Sequence, residues 1–460
     1  MAFALSASAA ASASADLTHE TVSGHAVDRV IVKGPSGSSA EVGWDALSSP
    51  KTPGLYAIRF RAHGEAVLVP HCNGRERVLV DGIAKDVDAA SSATGRGGPL
   101  VVRLDGGVPH DITIEVKAST YEKRIACTEP PRVGAVVRAD DGLSVLRFAS
   151  PHAARGGGEA VVFVPGGHDR TRPAPVLVGA HPWNGSPWTY AAYKELVEEA
   201  GRRGVVLLMP SGLGNSLYVA DAEDEVMRAI DALTGELAVD RQRVSIWGAS
   251  MGGAGATTIA FHRPDRFAFV ASFFGDSRYD LSTYVKGILR DEEGARRVNA
   301  LDVLENARHL PVFLVHGEDD HVSPIKQSTM LFDAMTKAGF AVELERVRGM
   351  GHEGPLVIKY IRRVVERAAT AVAPRRPARV SFRSVRAMDK EAYGVRLVRS
   401  SARDAFVDVE RRADGVHVLA AQGVTEILLS RDALGANIDE REEPIVLDAP
   451  GAKVDVRWAR

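Results

Sequence analysis

Short apolar segments alternate with longer helical ones through the middle of the chain, and this alternation constrains the fold more than any other feature. The apolar segments, rich in β-branched residues, lie at 176–180, 205–209, 244–247, 267–273, 311–315 and 342–347. The helical patterns lie near 190–201, 221–233, 253–261, 324–338 and 355–368. Strands that are apolar throughout are typical of a parallel sheet with helices on both faces. The pattern therefore predicts an α/β domain with a mostly parallel central sheet over residues 141–372.

Ser250 lies in the run 248–252, which reads Gly-Ala-Ser-Met-Gly. A predicted strand precedes this run and a predicted helix follows it. A serine at such a sharp turn adopts strained backbone dihedrals, and the flanking glycines leave room for close packing. The motif and its position together predict a nucleophilic serine at Ser250.

A serine hydroxyl needs a base to take its proton, and an acid to orient that base. In this strand-turn-helix context the acid and then the histidine follow the serine along the chain. The acid is expected after the strand 311–315, where Glu318, Asp319 and Asp320 compete. Glu318 is predicted to face solvent, and Asp319 and Asp320 are the two candidates at this point. The base is predicted at His352, which has glycines close on both sides after the last strand.

Two backbone N–H groups are expected to bind the negative oxygen that develops during attack on a carbonyl. Met251, directly after the serine, is predicted to supply one of them. The other is expected from the loop at 180–185. Pro182 has no N–H, so Trp183 is predicted as the second donor.

Aromatic side chains cluster near these loops. Trp188 and Tyr190 follow the loop with the predicted second donor, and Tyr279 and Tyr284 lie in the irregular stretch 276–310. All four are candidate substrate-binding residues that would line an apolar or aromatic pocket. For Trp188 and Tyr190, packing of the loop against the sheet is the alternative interpretation.

The regions on either side of the α/β domain have strand patterning. Residues 21–140 contain short alternating strands separated by Gly, Asp and Asn turns, which predicts an N-terminal β-sandwich domain of jelly-roll type. Residues 373–460 begin with a Pro- and Arg-rich linker and predict a small C-terminal all-β domain. Residues 1–20 are rich in Ala and Ser, and are interpreted as a signal remnant or a disordered tail.

The formal net charge of −2 gives no electrostatic reason to expect nucleic acid or a membrane surface as a partner. No internal apolar stretch approaches the ~20 residues that span a bilayer. Cys72 and Cys127 form one disulfide if the protein is exported, and are buried thiols otherwise. Secretion or a periplasmic location is expected, with the cytoplasm as the alternative. No metal-ligand spacing is recognisable, and the sequence makes no prediction of oligomeric state.

Residues 159–370 resemble the α/β-hydrolase superfamily, and within it the prolyl-oligopeptidase-like enzymes and the esterases of the polyhydroxyalkanoate-depolymerase-like group. The resemblance rests on Ser-Met-Gly-Gly at 250–253, His-Arg-Pro-Asp-Arg-Phe at 262–267 and Val-Asp-Arg-Gln-Arg-Val at 239–244. It implies an α/β-hydrolase fold and hydrolysis of esters or peptides without a metal or organic cofactor. The spacing His-Gly-x-x-Asp at 316–320, which is seen in these relatives, implies that Asp320 is the acid, with Asp319 as the alternative. The chain departs from these relatives in one place, where His181-Pro182 replaces the usual His-Gly. The N-terminal region resembles carbohydrate-binding jelly rolls more weakly.

The leading hypothesis is a serine esterase that cleaves small-molecule or polymeric carboxylic esters through an acyl-enzyme intermediate. A serine peptidase of prolyl-oligopeptidase type, acting on short peptides, is the alternative enzyme. A non-catalytic carbohydrate- or polymer-binding protein on a hydrolase scaffold is the alternative from another class.

Overall fold

The computed structural model describes residues 17–85, 98–153, 157–169, 171–282, 285, 289, 297–400, 404–436, 443–449 and 453–459. Residues 1–16 of the predicted tail at 1–20 and the candidate residue Tyr284 lie outside these ranges. Residues 17–20 do not form a disordered tail, because Leu17 is buried and a strand begins at His19. None of the helices within them is long and apolar enough to cross a membrane.

The N-terminal region consists of antiparallel strands in two sheets. The strands are β1 (His19–Ala26), β2 (Arg29–Lys33), β3 (Ser39–Gly43), β4 (Gly54–Ala62), β5 (Ala66–Val69), β6 (Arg75–Val80), β7 (Ile83–Ala84), β8 (Leu100–Arg103), β9 (His110–Ala118) and β10 (Arg132–Ala139). The sheet orders are β1-β10-β5-β8 and β3-β2-β4-β9-β6-β7. Side chains from both sheets, such as Val67 and Ile114, meet in one apolar core. A disulfide joins Cys72 to Cys127, so these cysteines are not free thiols.

The central region is built on a mostly parallel sheet. Its strands are β11 (Gly142–Ala149), β12 (Gly157–Val164), β13 (Ala174–Ala180), β14 (Val206–Pro210), β15 (Val239–Ala249), β16 (Phe269–Phe273), β17 (Val312–Gly317) and β18 (Val342–Val347). They lie in the order β11-β12-β14-β13-β15-β16-β17-β18. The strands from β13 to β18 pair in parallel, and β11 and β12 add an antiparallel edge. β13, β14, β16 and β17 are buried along their whole length, as expected for strands covered on both faces.

Helices cover both faces of this sheet. They are α1 (Trp188–Ala191), α2 (Lys194–Arg203), α3 (Asp221–Glu236), α4 (Met251–His262), α5 (Lys326–Lys337) and α6 (Gly354–Thr370). Val178 and Ile246 pack with α3 and α4 on one face, whereas Leu177 and Trp247 pack with α2 and α6 on the other. Every residue of α4 is buried, and its many Gly, Ala and Thr residues allow this close approach to the sheet.

One helix differs from the prediction. The pattern at 190–201 predicts a continuous helix, but the structure divides it into α1 and α2. Tyr193 lies between them with extended backbone dihedrals, φ −91° and ψ 95°. The other helices begin and end close to their predicted bounds. Side-chain periodicity does not report a break of this kind, because buried apolar residues recur at near-helical spacing across it, at Tyr190, Tyr193 and Leu196.

The C-terminal region forms two further sheets. Its strands are β19 (Arg379–Ser384), β20 (Glu391–Ala392), β21 (Val395–Arg399), β22 (Ala405–Arg412), β23 (Gly415–Gln422), β24 (Val424–Leu429), β25 (Ile445–Leu447) and β26 (Asp455–Trp458). The sheet orders are β19-β22-β23-β25 and β20-β21-β24-β26, and the two share an apolar core.

A buried ionic network joins this region to the α/β domain. Asp389 accepts a hydrogen bond from Nδ1 of His262, at the end of α4, at 2.8 Å. Arg386 donates to Glu223 at 2.6 Å and to Asp389 at 2.8 Å. Arg263 also donates to Glu223, at 2.9 Å. The cations and carboxylates alternate, so each buried charge has a partner of opposite sign.

Candidate active site

Ser250 lies at the turn between β15 and α4. Its φ of 55° and ψ of −121° are dihedrals that a non-glycine residue adopts only under strain. The neighbouring glycines make the turn possible. A Cβ on Gly252 would lie 1.8 Å from the carbonyl oxygen of Ala180, and one on Gly248 would lie 2.3 Å from the carbonyl oxygen of Gly252. The backbone therefore packs too closely here for any larger residue.

The structure brings Ser250, His352 and Asp320 together. Nε2 of His352 lies 2.7 Å from Oγ of Ser250, and Nδ1 lies 2.8 Å from Oδ2 of Asp320. The side chain of His352 is 12% exposed and that of Asp320 is fully buried. The ring of Phe274 lies 4.5 Å from the imidazole, centre to centre, and covers one side of it.

The loop after β17 holds Asp320 in place. Its Oδ1 accepts hydrogen bonds from the backbone N–H groups of Val322, at 2.8 Å, and Ser323, at 2.9 Å. Burial raises the pKa of Asp320, but the hydrogen bonds from His316 and His352 outweigh burial and hold that pKa well below its usual range. The carboxylate is therefore negative at neutral pH. The alternative acid, Asp319, is exposed.

Sequence reasoning missed the residues that fix this loop. The hydroxyl of Ser323 donates to Asp276, at 2.6 Å, and the carbonyl oxygen of Ser323 lies 2.7 Å from Nε2 of His316. Nδ1 of His316 lies 2.7 Å from the hydroxyl of Ser328. Asp276 is 47 residues from Ser323 in sequence, and no motif links either serine to His316, so no local pattern signals their association. The proximity of His316 to Asp320 in sequence is the single hint.

The two predicted backbone donors lie on separate segments, one directly after this serine and one in the loop after β13. Met251 is the first residue of α4, where an N–H has no acceptor inside the helix. Trp183 lies in the loop after β13, and its side chain is 39% exposed. The next residue, Asn184, donates its N–H to Oδ1 of Asn215 at 2.7 Å, and Asn215 donates back to its side-chain oxygen at 2.8 Å. These two hydrogen bonds between Asn184 and Asn215 fix the loop that contains Trp183.

Residues 216–371 match the family model of Peptidase_S9, the prolyl oligopeptidase family. This span contains the nucleophile turn, the acid loop and the histidine loop, all at the C-terminal ends of the parallel strands described above. The central region has an α/β-hydrolase fold. Over residues 216–371 the chain is similar to the serine hydrolases of the prolyl oligopeptidase family.

Solved structures similar to this chain include an S-formylglutathione hydrolase from Agrobacterium tumefaciens, with 19% identity and a TM-score of 0.45 over 50% of this chain and 95% of that one. They also include an acylaminoacyl peptidase from Pyrococcus horikoshii, with 15% identity and a TM-score of 0.44 over 74% of this chain and 59% of that one. No curated protein sequence matches the chain.

His181 lies in the loop after β13, directly before Pro182. The imidazole is buried, with Nδ1 2.9 Å from the carbonyl oxygen of Pro182 and Nε2 2.8 Å from that of Ser211. Burial lowers the pKa of His181, so the ring is neutral and donates to one of these carbonyls at a time. The ring ties the loop after β13 to the loop after β14.

The structure corrects the predicted substrate contacts. Trp188, Tyr190 and Tyr279 are buried in the hydrolase core, at 4%, 1% and 1% exposure. The hydroxyl of Tyr190 donates to the carbonyl of Ala180 and accepts from the N–H of Ala249, both at 2.9 Å. The hydroxyl of Tyr279 donates to a backbone carbonyl at 2.9 Å. The hydroxyls of Tyr190 and Tyr279 each bind backbone groups inside the core, so these two side chains support the strands and loops behind the site.

Proposed function

We propose that the protein is a serine esterase in which Ser250 is the nucleophile, His352 the general base and Asp320 the residue that orients it. The observation that supports this is the hydrogen-bonded line from Oγ of Ser250 through the imidazole to the carboxylate of Asp320. With its hydrogen on Nδ1 donated to Asp320, a neutral imidazole presents the lone pair of Nε2 to the serine.

In the acylation step, Nε2 of His352 takes the proton of Ser250 as Oγ attacks the ester carbonyl carbon. The carbonyl oxygen becomes an oxyanion, which the N–H groups of Met251 and Trp183 are proposed to bind. Collapse of this intermediate breaks the bond to the alcohol oxygen, and the proton on His352 passes to the departing alcohol. The acyl group remains on Ser250.

Deacylation repeats these steps with water as the nucleophile. His352 takes a proton from the water molecule, and the resulting hydroxide attacks the acyl carbon. The tetrahedral intermediate then expels Oγ of Ser250, which recovers its proton from His352. Asp320 stays ionised throughout and stabilises the imidazolium at each stage.

Carboxylic esters, small or polymeric, are the proposed substrates. Trp183 and Val322, on loops next to the triad, expose apolar side chains by 39% and 56%, which suits an apolar or aromatic group on the substrate. The described N-terminal strands form two sheets around one apolar core, and not the series of propeller blades that would favour a peptidase. Peptide hydrolysis is the second candidate, because the family model that matches residues 216–371 is that of prolyl oligopeptidases.

The nucleophile is tested with short-chain nitrophenyl esters. Ser250→Ala is expected to lower kcat by roughly 10⁴-fold or more. Ser245→Ala is the matched control, because Ser245 lies on the same strand and its buried hydroxyl has no hydrogen-bond partner among the described residues. Equal activity in wild type and Ser250→Ala would exclude Ser250 as the nucleophile.

Substrate class and catalytic competence need separate measurements. Comparing kcat/KM for nitrophenyl esters and for aminoacyl nitroanilides distinguishes an esterase from a peptidase, and a preference for the anilides would reject the ester proposal. A fluorophosphonate probe should label wild type and leave Ser250→Ala unlabelled. Failure to label the wild type would favour the non-catalytic polymer-binding protein.

The flanking regions are proposed to be a β-sandwich domain at 21–140 and a β domain at 373–460, around a catalytic domain at 141–372. The disulfide between Cys72 and Cys127 favours an oxidising compartment and so supports export. Thiol labelling of the unreduced, denatured protein should find no free cysteine if this is correct.

A further inference from the structure

A short segment of the N-terminal region, residues 119–124 between β9 and β10, lies against the catalytic domain; we call it the docking segment. It turns tightly, with the N–H of Lys123 donating to the carbonyl of Ser119 at 3.0 Å and the N–H of Glu122 donating to the hydroxyl of Ser119 at 3.0 Å. Lys123 has a left-handed φ of 51°. Strain of this kind is kept where surrounding contacts over-determine the backbone, so the conformation of this turn is specified.

One side of the docking segment contacts the residues directly after His352. The N–H of Gly354 donates to the carbonyl of Tyr121 at 3.2 Å. The ammonium group of Lys123 forms an ion pair with Glu353. Lys123 is 51% exposed and Glu353 is 18% exposed, so the pair lies at the rim of the interface. The backbone and a charge of the N-terminal region therefore hold the loop of the proposed base.

The other side of the docking segment reaches the packing behind Ser250. Oε1 of the buried Glu122 accepts a hydrogen bond from the hydroxyl of Tyr193 at 2.9 Å. The ring of Tyr193 packs edge-on against Tyr190, 5.6 Å between centres. The hydroxyl of Tyr190 in turn binds the N–H of Ala249, directly before Ser250. One segment thus contacts the supports of both the nucleophile and the base.

The docking segment is fastened to its own domain close by. The disulfide joins Cys127, three residues after Arg124, to Cys72. Next to it, the N–H of Asn73 donates to the carbonyl of Ala126 at 2.8 Å. The side chain of Asn73 also donates to the carbonyl of Thr189, in α1, at 3.2 Å. The docking segment and its neighbour are therefore attached both to the N-terminal core and to the catalytic domain.

We infer that the docking segment positions His352 for catalysis, with Lys123 as a positioning residue that acts through Glu353. The inference rests on the proposed role of His352 as the base. Misplacing a catalytic group by about 1 Å lowers the rate by up to about 100-fold, so a contact this close to the base affects turnover. The N-terminal region is then a component of the active site, in addition to any part it has in binding polymer.

The test replaces Lys123 in the full-length protein. Lys123→Arg keeps the charge, Lys123→Ala removes it, and Lys123→Glu places a carboxylate beside Glu353. All three residues have a side chain at the left-handed position, so the backbone cost is similar in each. The matched control is Arg29→Glu, a charge reversal at an exposed ion pair with Glu41 elsewhere in the same region.

On nitrophenyl esters, kcat is expected to stay within about twofold of wild type for Lys123→Arg, to fall about threefold for Lys123→Ala and to fall about tenfold for Lys123→Glu. KM should change less than about twofold throughout, because the binding groups are untouched. Melting temperatures should match that of Arg29→Glu, since a rim ion pair contributes little stability.

Two results would overturn the inference: a kcat for Lys123→Glu equal to that of Arg29→Glu, or a loss of activity that simply follows a lowered melting temperature. Ser250→Ala, assayed in parallel, separates this failure from failure of the proposed function. If Ser250→Ala is inactive and Lys123→Glu is fully active, the esterase proposal stands and the positioning role is wrong. If Ser250→Ala is active, the proposed function itself is wrong.

Discussion

The phenol oxygen of Tyr190 lies 2.9 Å from the backbone nitrogen of Ala249, the residue directly before Ser250. The same oxygen lies 2.9 Å from the carbonyl of Ala180, at the start of the loop that leads to Trp183. One hydroxyl therefore fixes the spacing between the strand that ends at the nucleophile and the strand that leads to the second proposed oxyanion donor.

Tyr190→Phe should lower the free energy of unfolding by about 1–3 kcal/mol, because it leaves a buried N–H and a buried carbonyl without a partner. It should also lower kcat, since the two strand ends lose their common contact. Tyr360→Phe on α6 is the control, as no hydrogen bond of its hydroxyl is found among the described residues. Urea unfolding and ester turnover measure the two effects, and equal stability of both variants would contradict the bracing role.

Gly252→Ala should abolish both folding yield and activity. Its Cβ would lie 1.8 Å from the carbonyl oxygen of Ala180, and neither backbone can move without displacing the turn at Ser250. Gly235→Ala is the opposite case, because it lies in α3 with no atom within 4 Å of the added Cβ. That variant should gain up to about 1 kcal/mol of stability from helix propensity. Soluble yield and thermal unfolding of the pair give the measurement.

Asp320→Asn should lower kcat by roughly 10³–10⁴-fold, since an amide neither stabilises the imidazolium nor favours the required tautomer of His352. Asp319→Asn, one residue away and exposed, should stay within about twofold of wild type. The two variants decide between the two acids that the sequence left open. A large loss for Asp319→Asn and none for Asp320→Asn would reverse the assignment.

Acid stability should depend on Asp389. Burial raises the pKa of this carboxyl, but hydrogen bonds from His262 and Arg386 outweigh burial and lower the pKa from 3.8 to about 2. A carboxyl with a depressed folded-state pKa contributes stability that is complete above about pH 4 and is lost as the pH falls toward 2. The shift corresponds to about 2 kcal/mol.

Urea midpoints at about pH 6, pH 4 and pH 2.5 test this linkage. Asp389→Asn should be less stable than wild type at the higher pH values and should show a smaller further loss at the lowest. Asp333→Asn, at an exposed position on α5, should follow the wild-type pH dependence. The same acid-dependent loss in Asp389→Asn as in wild type would show that another group is responsible.

Removal of the disulfide should destabilise the N-terminal region. The bridge joins residues 55 apart in sequence, and a crosslink of that span restricts the unfolded chain by about 2–4 kcal/mol. The double variant Cys72→Ala, Cys127→Ala should therefore unfold at lower denaturant, and wild type reduced and alkylated should do the same. Midpoints that match oxidised wild type in both preparations would contradict the expected stabilisation.

The strands and helices of the α/β domain were predictable because their periodicity is set locally, by which side chains face the two cores. The approach of Ser250, Asp320 and His352 was also predictable, because each follows a parallel strand and such strand ends meet at one edge of the sheet. The core position of Tyr279 was not predictable, and for Tyr190 the sequence left a pocket and the core as alternatives. Whether an aromatic residue faces a pocket or the core depends on the backbone groups that its hydroxyl reaches, and those groups are distant in sequence.

The contacts of the docking segment lay beyond sequence reasoning for the same reason. Glu122 and Tyr193 are separated by 71 residues, and Lys123 and Glu353 by 230. Neither pair belongs to a motif, and each charge alone is indistinguishable from a solvated surface residue. Their partners follow from the docking of one region on another, which no local pattern encodes.

The hydrogen bond between His262 and Asp389 limits where the chain can be truncated. The helix that starts at the nucleophile ends at His262, and its last turn is bound by a residue that lies well past the proline-rich linker. In a fragment that stops at the linker, Glu223 keeps Arg263 but loses Arg386, and the buried imidazole of His262 loses its carboxylate partner Asp389. The shortest fragment suited to expression as an enzyme therefore extends at least through Asp389. The proline-rich linker marks a boundary in the sequence, but it is not a position at which the chain can be truncated.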